Sequence, residues 1–112
     1  MELQLKLLEV RAYDGRFIAV TEDVVDHVIR KHPETLSLLA LTREGFVKLL
    51  CNALEEPNEV YVDVRDSRYF LKKLDDLYLN AIVSELMVKT AYLISPKTYS
   101  KMRRRRWLRR LC

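Results

Sequence analysis

From residue 59 to residue 94 the chain runs at a period of two, and no other feature limits its fold so sharply. Val60, Val62 and Val64 alternate with Tyr61 and Asp63; Asp66-Ser67 interrupts; residues 68–74 read as the next strand; Asp75-Asp76 interrupts again; residues 77–83 and 86–94 follow. β-Branched and aromatic residues at alternate positions suit a pleated surface, and breaks this short join neighbouring antiparallel strands. Three or four strands in a meander are expected. The apolar stretch over residues 77–94 is broken by Asn80, Ser84, Glu85, Lys89 and Thr90, so it reads as strands and not as a membrane span.

Upstream, the pattern differs. Leu3, Leu5 and Leu7 alternate with polar residues, and Asp14-Gly15 precedes a second run over residues 16–20, which reads as a hairpin closed by a tight turn. Thr21 or Glu22 then opens a helix, with Glu22, Asp23 and Asp26 where the helix dipole favours negative charge. Val24, Val25, Val28 and Ile29 share one arc of it. A second helix is expected over residues 42–55, capped by Thr42, striped by Phe46, Val47, Leu50, Ala53 and Leu54, and closed by Pro57. Ser95-Pro96 starts a terminal helix. The expected fold is α+β: an N-terminal hairpin and two helices packed on one face of an antiparallel sheet of about four strands, with a basic C-terminal helix.

A chain of 112 residues, 49% hydrophobic, supports one ordinary core. We therefore expect a single α+β domain over residues 1–96 and a basic helical tail over residues 97–112. Charge separates the two. Lys97, Lys101, Arg103, Arg104, Arg105, Arg106, Arg109 and Arg110 meet no acid in the tail, whereas residues 1–96 hold the other 12 bases and all 16 acids. A basic block suits phosphate chains, because each neutralised phosphate releases condensed counterions. The same block, with Trp107, Leu108 and Leu111 on one side, also suits docking on its own domain, on an anionic membrane surface, or on an acidic protein. Cys51 and Cys112 lack metal-ligand or CxxC spacing, and no apolar leader opens the sequence, which points to a reduced, cytoplasmic setting. Scarce amides beside many charges fit a heat-adapted composition.

The chain's two histidines lie five positions apart in HVIRKHPET, residues 27–35. Five helical positions differ by about 140°, so His27 and His32 do not form the adjacent i, i+4 pair that holds zinc, and the projection points them in different directions. Pro33 disfavours helical geometry at His32, so the helix is expected to end there. There is no GxGxxG, GxxxxGK[ST] or GxSxG, and two glycines leave little scope for phosphate-cradling loops, which removes nucleotide-dependent enzymes and serine hydrolases.

The order VTEDVVDHVIRKHPET, then LEEPNEVYVDVRDS, then RYFLKKLDDLYLNAIV, then VKTAYLI resembles the phage-type branch of the barnase, EndoU, colicin and RelE-like nuclease superfamily, over about residues 20–95. That resemblance implies a small ribonuclease fold that uses neither metal nor cofactor, often found in toxins. It implies a site drawing on His27 and His32, a strand lysine at Lys72 or Lys73, and Thr90 and Tyr92. It also implies RNA as partner, and an acidic protein such as an antitoxin as a second one.

The residue types suit that chemistry. Cleavage by internal attack needs a proton acceptor for the ribose 2′-hydroxyl, a donor for the departing 5′-oxygen, and cations for the charge developing on phosphorus. Imidazole titrates near neutrality and serves in either proton role. Lys72, Lys73 or Arg68 supplies charge, Thr90 or Tyr92 a neutral donor, and Tyr61, Tyr69 and Tyr78 stacking surfaces for unpaired bases. Lys101, Arg103, Arg104, Arg105, Arg106, Arg109 and Arg110 would hold the nucleic acid. The alternative is a non-catalytic protein of the same fold that binds nucleic acid or a partner through this arginine-rich tail.

Overall fold

The computed structural model of the protein describes residues 6–112; the alternation expected at Leu3 and Leu5 lies outside them. The chain runs β1 (Lys6–Arg11), β2 (Phe17–Thr21), α1 (Glu22–Lys31), α2 (Glu34–Ser37), α3 (Arg43–Glu55), β3 (Glu59–Val62), β4 (Arg68–Leu74), β5 (Leu77–Ser84), β6 (Met87–Ile94), α4 (Pro96–Arg103) and β7 (Arg109–Arg110). All strands join one sheet in the order β1-β2-β6-β5-β4-β3-β7.

This corrects the expected four-stranded antiparallel sheet with a separate hairpin: among the described residues the sheet has seven strands, is mixed, and is accompanied by four helices. Two additions enlarge it. The N-terminal hairpin is part of the sheet, because β2 meets β6 in a parallel contact at Ala19 and Met87. The tail is only half helical: after α4 the chain turns, and Arg109 and Arg110 pair antiparallel with Val62 and Tyr61 of β3. The short α2 was not read from the sequence.

Turn chemistry explains the parallel contact. Glu85 and Leu86 both have positive φ, 55° and 58°, the two-residue geometry that closes a hairpin but resists side chains with a Cβ. Leu86 spends that strain outside its own hairpin, since its carbonyl accepts the Ala19 N–H at 2.9 Å.

Alternation then sorts the sheet into two faces. Val10, Ile18, Val20, Val60, Phe70, Leu79, Ala81, Val83, Val88 and Ala91 form the main core with Val24, Val25 and Val28 of α1 and Phe46, Leu50, Ala53 and Leu54 of α3. The opposite face carries Tyr61, Tyr69, Leu71, Tyr78, Tyr92 and Ile94, and is covered in part by Tyr99, Met102 and Leu108 of the tail. The second face is therefore not left bare, as an uncovered sheet would be; the basic end of the chain folds over one side of it.

Candidate functional site

Both histidines are placed by α1. Thr21 caps it, its Oγ1 accepting from the Val24 N–H at 3.1 Å, and the apolar arc of Val24, Val25 and Val28 goes into the core. His27 lies on the flank of that arc, half-buried. His32 is the C-cap, with φ −132° and ψ 58°; its N–H still reaches the Val28 carbonyl at 2.7 Å. Leaving helical geometry at this residue swings its ring back toward its neighbour. The two rings stand 6.1 Å apart between centroids and 76° between planes. The divergence expected from a helical projection is thereby corrected, because that projection assumes an α-helical backbone through His32.

Strand β6 supplies the facing wall. Residues two apart on a strand share a face and are separated by roughly 6.8 Å. Thr90 and Tyr92 are such a pair, and their spacing matches that of the histidine rings. His27 Nε2 lies 3.2 Å from Thr90 Oγ1, and the His32 ring lies 5.2 Å from that of Tyr92, tilted by 36°. Glu34 Oε1 is 3.7 Å from His32 Nδ1. Four residues named from the sequence thus form one cluster.

Beyond Tyr92 the same sheet face continues into a cleft of about 110 Å³, lined among others by Tyr69, Asn80, Arg105, Trp107 and Leu108. Tyr69 is fixed there by its hydroxyl, which donates to Asp63 Oδ2 at 2.9 Å. Burial, with the adjoining Asp63 carboxylate, pushes the Tyr69 phenol up to about 12, so it stays a neutral hydroxyl. Burial works to raise Asp63, but hydrogen bonds from the Ser67 N–H, the Tyr69 hydroxyl and the Arg65 N–H outweigh it and hold the carboxyl below its usual range. Asn80, directly across the ladder from Tyr92, is 2% exposed, and its Oδ1 finds no hydrogen-bond partner among the described residues. Leaving such an atom unsatisfied costs about 1–3 kcal/mol, in a strand where an apolar residue would incur no such cost.

The tail forms the far wall. Ser95 caps α4, its Oγ accepting from the Thr98 N–H at 3.2 Å, and Pro96 takes the first turn. Tyr99 stacks on Tyr78 at 4.0 Å between centroids. Beneath it lies Glu59, 8% exposed, which accepts hydrogen bonds from the hydroxyls of Tyr61 and Tyr99 and lies 3.7 Å from both Arg103 and Arg110. Burial alone would raise its pKa; the two tyrosine hydroxyls and the two guanidiniums reverse the sign and hold it below the ordinary carboxylate range. A carboxylate so depressed contributes stability that is fully present above its unfolded value near 4.5 and is lost as pH falls through the lower folded value. Trp107 is the chain's single tryptophan. Its emission is expected to hold steady from neutrality to about pH 4.5 and to move to the red below it, as the tail loosens; a shift that begins well above that pH would contradict the assignment.

The remaining candidates divide. Lys72 stands on the α3 side of the sheet, its Nζ donating to the Glu56 carbonyl at the end of α3 at 2.7 Å, and is not with the histidines. Alternation puts Lys73 on the other face, at the exposed end of β4. Tyr61 is 4% exposed and committed to Glu59, so it offers no stacking surface. Arg103 and Arg110 neutralise Glu59, Arg105 sits over the Trp107 ring at the cleft, and Lys101, Arg104, Arg106 and Arg109 are exposed. Asn80, Glu59 and Trp107 were not named from the sequence as site residues. Among the described residues no three His, Cys, Asp or Glu side chains gather to hold a metal ion, and no helix is long and apolar enough to cross a membrane. Compared with protein families, curated proteins and solved structures, the chain matches none.

Proposed function

We propose that this protein is a small endoribonuclease that cleaves RNA by attack of a ribose 2′-hydroxyl on the adjacent phosphodiester. The observation that carries the proposal is the approach of the His27 and His32 rings to 6.1 Å over a wall of Thr90 and Tyr92. In a near-attack geometry reacting atoms stand roughly 3–3.5 Å apart, and an acid or base reaches its proton within about 2.6–3.2 Å. Two imidazoles at this spacing can serve one phosphodiester, one at the entering oxygen and one at the leaving oxygen. One takes the 2′-hydroxyl proton as the 2′-oxygen bonds to phosphorus. The phosphorus–5′-oxygen bond breaks, the other imidazolium gives its proton to the 5′-oxygen, and the products are a 2′,3′-cyclic phosphate and a 5′-hydroxyl.

Thr90 holds the His27 ring through Nε2, and Tyr92 supports His32 by packing. Arg105, which lines the adjoining cleft together with Tyr92, is the cation we assign to the phosphorane, and Lys101, Arg104, Arg106 and Arg109 extend a basic surface for the flanking backbone. The resemblance of the HVIRKHPET and TAY segments to metal-independent nucleases agrees with this reading. The test is to incubate the purified protein with end-labelled single-stranded RNA in excess chelator and to identify the new ends. Products with cyclic phosphate and 5′-hydroxyl ends are expected. Binding without cleavage would leave a nucleic-acid-binding protein in its place.

A further inference from the structure

We infer that the cleft next to the histidines is a base-reading subsite that takes a pyrimidine ring and reads its edge through Asn80. The inference rests on the ribonuclease reading for the kind of ligand, but on different residues for its recognition. Tyr92 is the shared wall: it packs on His32 and also lines the cleft, so a nucleotide whose phosphate lies at the histidines has its base within reach of this space.

Three features set the class of occupant. The first is size. At about 110 Å³ the cleft is smaller than the roughly 150 Å³ cavity that admits benzene, so a single six-membered ring fills it with part of the ring standing in the open side, and two fused rings would fit less well still. The second is shape and polarity of the walls: Tyr69, Tyr92 and Trp107 are flat and aromatic, the Trp107 indole is 44% exposed, and Arg105 lies 5.3 Å over it. Aromatic walls with a guanidinium at the rim suit a base attached to a phosphodiester.

The third is Asn80, which gives the subsite a polar edge to read, while the size of the cleft sets the choice between one ring and two. A buried amide on a central strand, 2% exposed and lining the cleft, with its oxygen unpartnered among the described residues, leaves a hydrogen-bonding atom that a ligand could satisfy. Its amide offers one acceptor and two donors side by side. Uracil presents an N–H donor beside a carbonyl acceptor, and cytosine an acceptor beside an amino donor; both match the amide, in its two flip states. Tyr69 cannot take over this role, because its hydroxyl is committed to Asp63.

The experiment is calorimetric titration of the full chain with the 3′-monophosphates of uridine, cytidine, adenosine and guanosine. The pyrimidine nucleotides are expected to bind at least about tenfold more tightly than the purine ones. Asn80→Leu removes the polar edge and is expected to lower pyrimidine affinity by about tenfold or more while leaving the melting temperature unchanged or raised. Trp107→Ala, at an exposed position, tests the wall in case Asn80→Leu does not fold, with a similar expected loss. His27→Ala should keep the discrimination. Equal affinity for all four nucleotides, no binding of any, or discrimination untouched by either cleft variant would overturn the subsite. Discrimination that persists in a protein unable to cleave RNA would support the subsite and overturn the ribonuclease.

Discussion

His27→Ala is expected to lower the rate of RNA cleavage by about a hundred- to ten-thousandfold, the usual contribution of one acid or base. His32→Ala should fall in the same range. If the two rings serve one phosphodiester, as proposed, the double variant should lose little more than either single one, whereas independent sites would multiply their effects. Thr90→Val keeps the shape of the β6 wall but releases His27 Nε2; a lower kcat at nearly constant KM is the expected signature of a positioning residue. His27 and His32 are partly exposed, so their alanine variants should still fold. Cleavage that survives both histidine variants, measured on folded protein, would end the proposal.

The second large effect belongs to Glu59. Glu59→Ala leaves the Tyr61 and Tyr99 hydroxyls without their acceptor under the tail, and Arg103 and Arg110 without a counter-charge. Two lost hydrogen bonds to a charged group at a buried position come to about 3 kcal/mol, on the order of 10 °C in melting temperature for a chain of this size. Glu59→Gln keeps an acceptor and should cost about 1 kcal/mol. The Trp107 emission should move to the red in Glu59→Ala even at neutral pH. A variant that melts like wild type, with unchanged emission, would mean that the tail is held by its strand pairing alone.

Local signals account for the parts of this fold that can be read in advance. Thr21 and Thr42 cap helices where they stand in the sequence, and residues 68–74 form β4 over that same span. The β2–β6 contact could not be read that way, because it depends on one bridge between Ala19 and Met87, with no run of alternating residues to announce it. Nor does RRRRWLRR carry a strand pattern; β7 exists because the β3 edge offers unpaired backbone, including the Val60 carbonyl that accepts from Leu111 at 2.7 Å. Within the site, His27, His32, Thr90 and Tyr92 were legible through a resemblance, but their convergence turns on the backbone of His32. Lys72 and Lys73 illustrate the limit of alternation: it says that they part, and not which one joins the site. Asn80 did leave a trace, as a lone amide in the apolar stretch LYLNAIV, where a buried polar residue asks for a partner.

The narrow contact between β2 and β6 also governs the order in which the molecule assembles. Strands β3 to β6 meet their neighbours through short turns and can zip early, whereas Ala19 and Met87 must find each other across most of the chain, and β7 must return to β3 from the far end. The wall with the histidines and the wall with Trp107 are therefore expected to close last during refolding. Trp107 fluorescence should lag behind the far-ultraviolet circular dichroism of the sheet in stopped-flow mixing, and simultaneous phases would argue for a single concerted step. A chain caught between these stages has the meander in place while its cleft is still unwalled, so the surface proposed for RNA would be completed only at the final moment of folding.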